Sequence, residues 1–172
     1  MTWYDTIYFC NKLSEKLGLT PVYSSGRTTD VTWWKWSRGD LLYDIEVNLN
    51  ADGFRLPTSS EWEHAARGGD NYKYAGSDTI TEVGWSGERS GSSHPVKQKK
   101  PNGYGLYDMS GNVWEWLADI GSYSSERYYR GGCWNYYDSA CEISASINEF
   151  PSNASDDVLG FRVVRKIEEV EW

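Results

Sequence analysis

Apolar residues recur along the N-terminal segment at Trp3, Ile7, Cys10, Leu13 and Leu17. These spacings of three and four put them on one face of a helix. Thr2 stands where a cap hydroxyl can accept from the first free amides, and Asp5 completes a reciprocal capping box. Gly18 suits the left-handed exit. The pattern predicts an amphipathic helix over Thr2–Leu17. The signature returns at Thr58 and Glu61, with Pro57 blocking backward extension, and predicts a second helix over about Ser59–Arg67 that stops at Gly68-Gly69. Strand-like runs are short. They are expected at Leu42–Val47, at Tyr128–Arg130 and across Gly160–Ile167, where Phe161-Arg162-Val163-Val164-Arg165 reads as a core strand.

The remaining chain is polar and punctuated. Thr20–Asn50 carries Pro21, Gly26 and Gly39 around Trp33, Trp34 and Trp36, and Gly69–Gly105 is rich in Gly, Ser, Asn and Asp. Such stretches predict irregular loops, which stay ordered only if they bury side chains of their own, and the aromatics can supply those. Neither an internal repeat nor a linker interrupts the chain. The expected architecture is α+β, with two helices, short antiparallel strands and high loop content in one domain over 1–172. Its length of 172 residues agrees with one domain.

Composition narrows the function. The 10 Trp and 13 Tyr exclude a disordered chain. A net charge of -8, with no basic run beyond Lys97-Gln98-Lys99-Lys100, argues against nucleic acid as a partner. No apolar run is long enough to span a membrane. Three cysteines (Cys10, Cys133, Cys141) leave at least one thiol unpaired within the chain, so a disulfide scaffold is not expected. His64 and His94, far apart and without a C-x-x-C, do not read as a zinc site. Met1 leads straight into a helix, so any targeting segment is expected outside this sequence.

Six blocks follow in order: Trp3 to Leu13, Gly53-Phe54-Arg55-Leu56-Pro57-Thr58, Glu61 to Gly69, Gly105 to Trp116, Arg130-Gly131-Gly132, and Gly160-Phe161-Arg162. Together they resemble the formylglycine-generating-enzyme, or sulfatase-modifying-factor, family. That resemblance implies a C-type-lectin-like fold, with the N-terminal part of the family domain missing or shortened here. Enzymes of the family oxidise a substrate cysteine with copper held by two thiolates. Cys141 matches the first thiolate position and Ser146 the second, and a hydroxyl is a poor ligand for Cu(I). The resemblance therefore implies a lost oxidase, with no copper and no catalytic residue expected, and Cys141 reads as a small buried residue. Two histidines cannot supply the three-His iron site of the sulfoxide-synthase relatives. A structural calcium site is implied by the Asp108 and Glu115 side chains with the Gly111 and Val113 carbonyls, a hard oxygen set. The alternative is that both carboxylates accept backbone hydrogen bonds in a tight turn.

Residues Cys133–Val158, framed by Arg130-Gly131-Gly132 and Leu159-Gly160-Phe161-Arg162, show neither helical nor strand period. They mix Tyr, Phe, Ile and Val with Asp, Asn and Ser, the composition of partner-binding loops. The chain is also similar to the variable proteins of diversity-generating retroelements, the treponemal members above all. In these, AAC and AAT codons are randomised at adenines, which yields many residue types but never Trp, Glu, Gln, Lys or Met. Most residues between the frames fit that set, and Trp134, Glu142 and Glu149 would be fixed. The resemblance implies a non-enzymatic, surface-displayed or extracellular protein that binds an unidentified macromolecular or surface ligand. The expected contacts are Cys133, Asn135, Tyr137, Asp138, Ala140, Ala145, Ile147, Asn148, Phe150, Ser152, Asp157 and Val158, on a scaffold containing Trp114, Trp116, Trp134 and Phe161. The alternatives are a copper-dependent oxidase using Cys141 with a rearranged Cys133, and a calcium-dependent carbohydrate-binding lectin. The lectin is disfavoured because neither Glu-Pro-Asn nor Trp-Asn-Asp occurs; Trp134-Asn135-Tyr136 only approaches the latter.

Overall fold

In the computed structural model, which describes residues 1–34, 44–87, 91–145 and 148–167, helix α1 spans Trp3–Lys16. Its capping box forms as expected: Asp5 N–H donates to Thr2 Oγ1 at 3.1 Å, and Thr2 N–H donates to the Asp5 carboxylate at 2.7 Å. The buried stripe runs through Trp3, Tyr4, Ile7, Cys10, Asn11 and Ser14. It does not reach Leu17, which is 57% exposed because the helix ends there and Gly18 turns left-handed. Ser14 closes the stripe instead. Its hydroxyl donates to Cys10 O at 2.7 Å and accepts the Phe54 N–H at 2.8 Å, tying the helix to the next strand layer.

The chain continues through β1 (Tyr23–Ser24), β2 (Glu46–Val47) and β3 (Phe54–Arg55) to α2 (Ser59–Arg67). Of the strand expected over Leu42–Val47, only its end is seen as β2; Leu42 and Tyr43 lie outside the described residues, as does Trp36. Helix α2 begins at the Thr58–Glu61 capping box and ends at left-handed Gly68, as the sequence predicts. One further turn, α3 (Ile80–Val83), interrupts the stretch expected to be irregular, and buries Ile80 and Val83 against Tyr74 and Cys141. Then come β4 (Trp114–Ile120), β5 (Glu126–Arg130), β6 (Asn148–Pro151), β7 (Leu159–Phe161) and β8 (Val164–Arg165).

Strands β6-β5-β4-β7 form the central sheet. Three of its strands are antiparallel neighbours, but β7 runs parallel to β4, pairing Trp114 with Leu159 and Trp116 with Phe161. A parallel neighbour needs a long connection, and residues 121–158, which pass through β5 and β6, supply it. The core strand expected over Gly160–Ile167 is divided between two sheets. Leu159–Phe161 joins β4, and Val164–Arg165 pairs with β3. Its side chains are accordingly half-buried rather than core, and Arg165 is exposed.

Strand β4 separates two apolar clusters. Trp114 and Trp116 point to the α1 side, among Trp3, Tyr4, Ile7 and Tyr23. Leu117 lies with Trp62 and Ala66 of α2. Alternate residues of one strand serve opposite faces, so a strand covered on both sides reads as a nearly continuous buried run, and its first four residues are all buried. None of the described helices is long and apolar enough to cross a membrane.

Candidate functional site

The segment after β5 is fastened to the scaffold mostly through main-chain atoms. Trp134 N–H donates to Asn112 O at 2.8 Å, Gly87 N–H to Tyr136 O at 2.8 Å, Ile143 N–H to Lys73 O at 3.0 Å and Trp114 N–H to Val158 O at 2.8 Å. Arg130, 6% exposed, braces the middle. Its Nη2 donates to Ile143 O at 2.6 Å, while Nη1 reaches Ser59 Oγ and Glu63 Oε2, both at 3.1 Å. The guanidinium lies over the Trp62 ring, 5.0 Å from its centroid. These bonds do not depend on which side chains the segment carries.

The segment is not wholly irregular. Asp138–Cys141 forms a 3₁₀ turn, and β6 extends the sheet along β5. Among the expected contact residues, Asn135, Tyr137, Phe150 and Asp157 are exposed, and Asp138, Ala140, Ala145 and Val158 are half-buried. Cys133 and Ser152 are not at the surface; both are fully buried. Cys133 belongs to the α1-side core. Ser152 is a staple: its N–H donates to Ser125 O at 2.7 Å, its hydroxyl bonds the same carbonyl, and its own carbonyl accepts from Trp3 N–H at 3.0 Å. Ile147 lies outside the described residues, and Asn148 pairs with Tyr129 in β6. The three residues expected to be fixed are half-buried, as are several neighbours, and Asp138 too bonds the scaffold, accepting from the Ser86 hydroxyl. Glu142 pairs with Lys73 at 3.0 Å, Glu149 Oε2 accepts the Ser122 N–H at 2.6 Å, and Trp134 is half-buried.

The exposed positions border two depressions. One, of about 400 Å³, brings Asn135, Phe150 and Val158 together with Trp114, Tyr129, Tyr136, Asp156 and Leu159. The other, of about 370 Å³, gathers Tyr137, Ala140 and Ala145 beside Tyr136 and Glu142. Sequence reasoning missed Tyr136 and Asp156, although both lie in the loop and both fit the randomisable set. It also missed that the floor of the first depression comes from Trp114 of β4 and Tyr129 of β5. No local signal marked this, because the first four residues of β4 are all buried and their alternation is hidden. At the rim, the Asp157 side chain bonds Asp156 and holds that carboxyl below its ordinary value, while Asp157 itself is raised by the same contact.

The thiols are set in different surroundings. Cys141 is fully buried beside Tyr74, Ile80 and Val83. Burial pushes it up to about 12, with neighbouring Cys133 and Asp138 adding to the rise and the Cys133 backbone N–H opposing it. Burial likewise raises Cys133. The matched copper pair, Cys141 with Ser146, does not fit Cu(I): one donor is a buried thiol and the other residue offers a hydroxyl. Ser146 itself lies outside the described residues.

Of the four residues implied for calcium, Asp108, Gly111 and Val113 sit in the turn that feeds β4, and Glu115 lies in β4 itself. Asp108 is held at φ 55°, with Oδ2 accepting the Lys97 N–H at 2.8 Å and Oδ1 buried without a partner. Glu115 is committed elsewhere. Arg162 Nε and Nη2 reach its Oε2 and Oε1 at 2.6 and 2.5 Å, and Trp62 Nε1 donates to Oε2 at 2.6 Å. As arranged, the set does not fit a calcium ion, because a guanidinium fills the carboxylate that should face the metal. Among the described residues, no group of three His, Cys, Asp or Glu could hold a metal. The histidines contact aromatic rings, His94 half-buried and His64 exposed. His94 stacks on Trp85 at 3.7 Å, and His64 lies 5.6 Å from Tyr104.

Comparison with known proteins agrees with this architecture. A chaperone protein, LppX, of Paenibacillus barcinonensis is 35% identical, over 96% of this chain and 68% of its own length. The formylglycine-generating enzyme of Streptomyces coelicolor is 37% identical over 64% of this chain, which spans only 46% of that enzyme. Treponema denticola variable protein 1 superposes with a TM-score of 0.82 at 35% identity, covering 95% of this chain and 68% of that one. The fold is thus the C-type-lectin-like α+β fold of formylglycine-generating-enzyme relatives. The sulfatase-modifying factor enzyme 1-like domain matches residues 1–167, and the chain belongs to that family.

Proposed function

We propose that the protein is a non-enzymatic binding protein whose surface between Cys133 and Val158 is diversified while its scaffold stays fixed. One observation carries the reading. The segment's backbone is held by main-chain bonds and by Arg130, so exposed side chains can change without loosening the fold. Two of the residues that adenine randomisation could not produce support it independently, because Glu142 pairs with Lys73 and Glu149 accepts the Ser122 N–H of the scaffold. Similarity to a treponemal variable protein points the same way. Such a protein would act at a cell surface or outside the cell, where foreign ligands are met.

The test is the nucleotide sequence of the gene and its flanks. A near-copy of the Cys133–Val158 coding stretch, differing only where the copy has adenine and lying beside a reverse transcriptase, is the expected result. A gene with no such copy overturns diversification and leaves a fixed binding surface.

A second reading is a formylglycine-generating-type oxidase using Cys141 with a rearranged Cys133, favoured by the enzyme relatives. It requires one Cu(I) per chain, lost in Cys141→Ala. Copper titration that finds no tight equivalent removes it.

A further inference from the structure

The first depression has a chemistry that narrows its ligand. Its lining includes four aromatic residues beside Asn135, Asp156, Val158 and Leu159. Trp114, only 6% exposed, forms the floor, and its ring meets Tyr129 edge-on at 5.0 Å and Tyr136 at 5.8 Å. Phe150 stands 6.0 Å from Tyr129, at an interplanar angle of 68°. Neighbouring rings are tilted to one another at 66° to 78°. Two of them come from the fixed strands β4 and β5. Two come from the segment proposed to vary.

The polar lining is Asn135 and the acidic Asp156, so its one charge is negative. Asp156 is among the residues that border the space, exposed Asp157 follows it in sequence, and no Lys, Arg or His is among the described residues that line the depression. Aromatic faces carry negative quadrupoles and attract cations, most strongly when the cation is poorly hydrated. A compact ammonium such as that of lysine would have to surrender strong hydration to enter. A methylated ammonium surrenders little and gains contact with all four rings. The chain's net charge of -8 adds long-range attraction for any cation.

We propose that this depression binds a quaternary or methylated ammonium group. The inference rests on the binding reading above and names the chemistry of its ligand. The carboxylate of Asp156 supplies the counter-charge, and the tilted rings of Trp114, Tyr129, Tyr136 and Phe150 supply the cage. A volume of about 400 Å³ leaves room for such a head group together with the stem that carries it.

The test is calorimetric titration of the full chain with choline and with its uncharged isostere 3,3-dimethylbutan-1-ol. Choline should bind at least about tenfold more tightly than the isostere, the margin expected from a partly desolvated cation–π contact. Phe150→Ala and Asp156→Asn should each weaken choline by several-fold. Phe150 lies on an edge strand at 41% exposure and Asp156 is exposed, so both variants should keep the parent's circular dichroism. Equal affinity for the two probes overturns the proposal, as does no choline binding or unchanged affinity in both variants. Two further probes separate the sources of the group. Tighter binding of an acetylated trimethyllysine amide assigns it to a modified peptide, and tighter binding of phosphocholine assigns it to a lipid head group. The gene sequence tests the diversified loop separately. A template copy without choline binding removes the cation and keeps the variable surface, whereas choline binding without a copy keeps the cage on a fixed loop.

Discussion

Arg162 and Glu115 form a two-pronged ion pair at 2.5 and 2.6 Å beneath the turn that feeds the central sheet. The same guanidinium donates to Tyr107 O at 3.1 Å, and Trp62 donates to the same carboxylate from α2. One charge pair thus joins the second helix, the 105–113 turn, β4 and the residue just after β7. Glu115 keeps only 7% side-chain exposure and Arg162 keeps 23%.

The two partners should therefore not cost the same to remove. Arg162→Leu strands a buried carboxylate and should destabilise by about 3–5 kcal/mol. Glu115→Gln retains an acceptor for Trp62 and leaves an arginine that can reach water, so about 1–2 kcal/mol is expected. Urea unfolding of both variants reads the difference. Arg162→Leu proving the milder change would refute this account of the pair.

Acid should loosen the entry to α2. Glu61 closes the capping box on Thr58 and accepts both Arg55 Nη atoms at 2.6 Å. The Arg55 hydrogen bond leads the causes that pull Glu61 from 4.5 to about 2. A carboxyl depressed on folding stabilises above its unfolded value, and that contribution fades as pH falls from about 4.5 toward 2. Glu61 is 42% exposed at its side chain, so screening should keep the effect near about 1 kcal/mol or below. Thermal melts from pH 6 to about 2 should show a shallower acid loss in Glu61→Gln than in the parent. Parallel curves would mean the pair contributes nothing.

Gly132 is where the segment can least tolerate a side chain. Its φ is +78°, and an added Cβ would lie 2.4 Å from Cys141 Sγ and 2.8 Å from Cys141 Cα. Gly132→Ala should cost at least about 2 kcal/mol through strain and overlap. Adding Cys141→Ala relieves the sulfur contact but not the backbone one, so the double variant should stay less stable than Cys141→Ala alone. Differential scanning calorimetry of the three variants checks this, and a neutral Gly132→Ala would show that the turn can open.

The two long helices were legible because their caps are local. Thr2 with Asp5, and Thr58 with Glu61, state their boundaries within four residues. The family was legible because its blocks are ordered and specific. The central strand β4 was not, because burial on both faces erases the alternation that marks a strand, and Trp114-Glu115-Trp116-Leu117 reads as an unbroken motif. The division of Gly160–Ile167 between two sheets was hidden for a related reason: pairing partners are nonlocal. In the candidate site, the exposure of Tyr137 and Phe150 agrees with the loop-like composition around them. The burial of Cys133 and Ser152 was not legible, because a small residue in an aromatic loop carries no mark of which way it faces. The commitment of Glu115 to Arg162 across 47 residues had no local trace.

The division between anchor and surface makes the sharpest stability contrast within one segment. Glu149 and Tyr137 are 12 residues apart by sequence numbering, and both lie between the same frames. Tyr137 is 69% exposed, while Glu149 closes the β4–β5 connection by accepting the Ser122 N–H. If the outward side chains are free to vary, Tyr137→Ala should change stability by no more than about 0.5 kcal/mol. Glu149→Ala leaves a backbone donor without its charged acceptor and should cost about 1–2 kcal/mol. Asn135→Ser should group with Tyr137→Ala, because its position is exposed and its neighbours are held through the main chain. Chemical denaturation of the three variants side by side settles the matter. A loss at Tyr137 or Asn135 as large as that at Glu149 would mean that the surface side chains help to hold the segment, and a segment that needs its surface residues to fold could not serve as a diversified one.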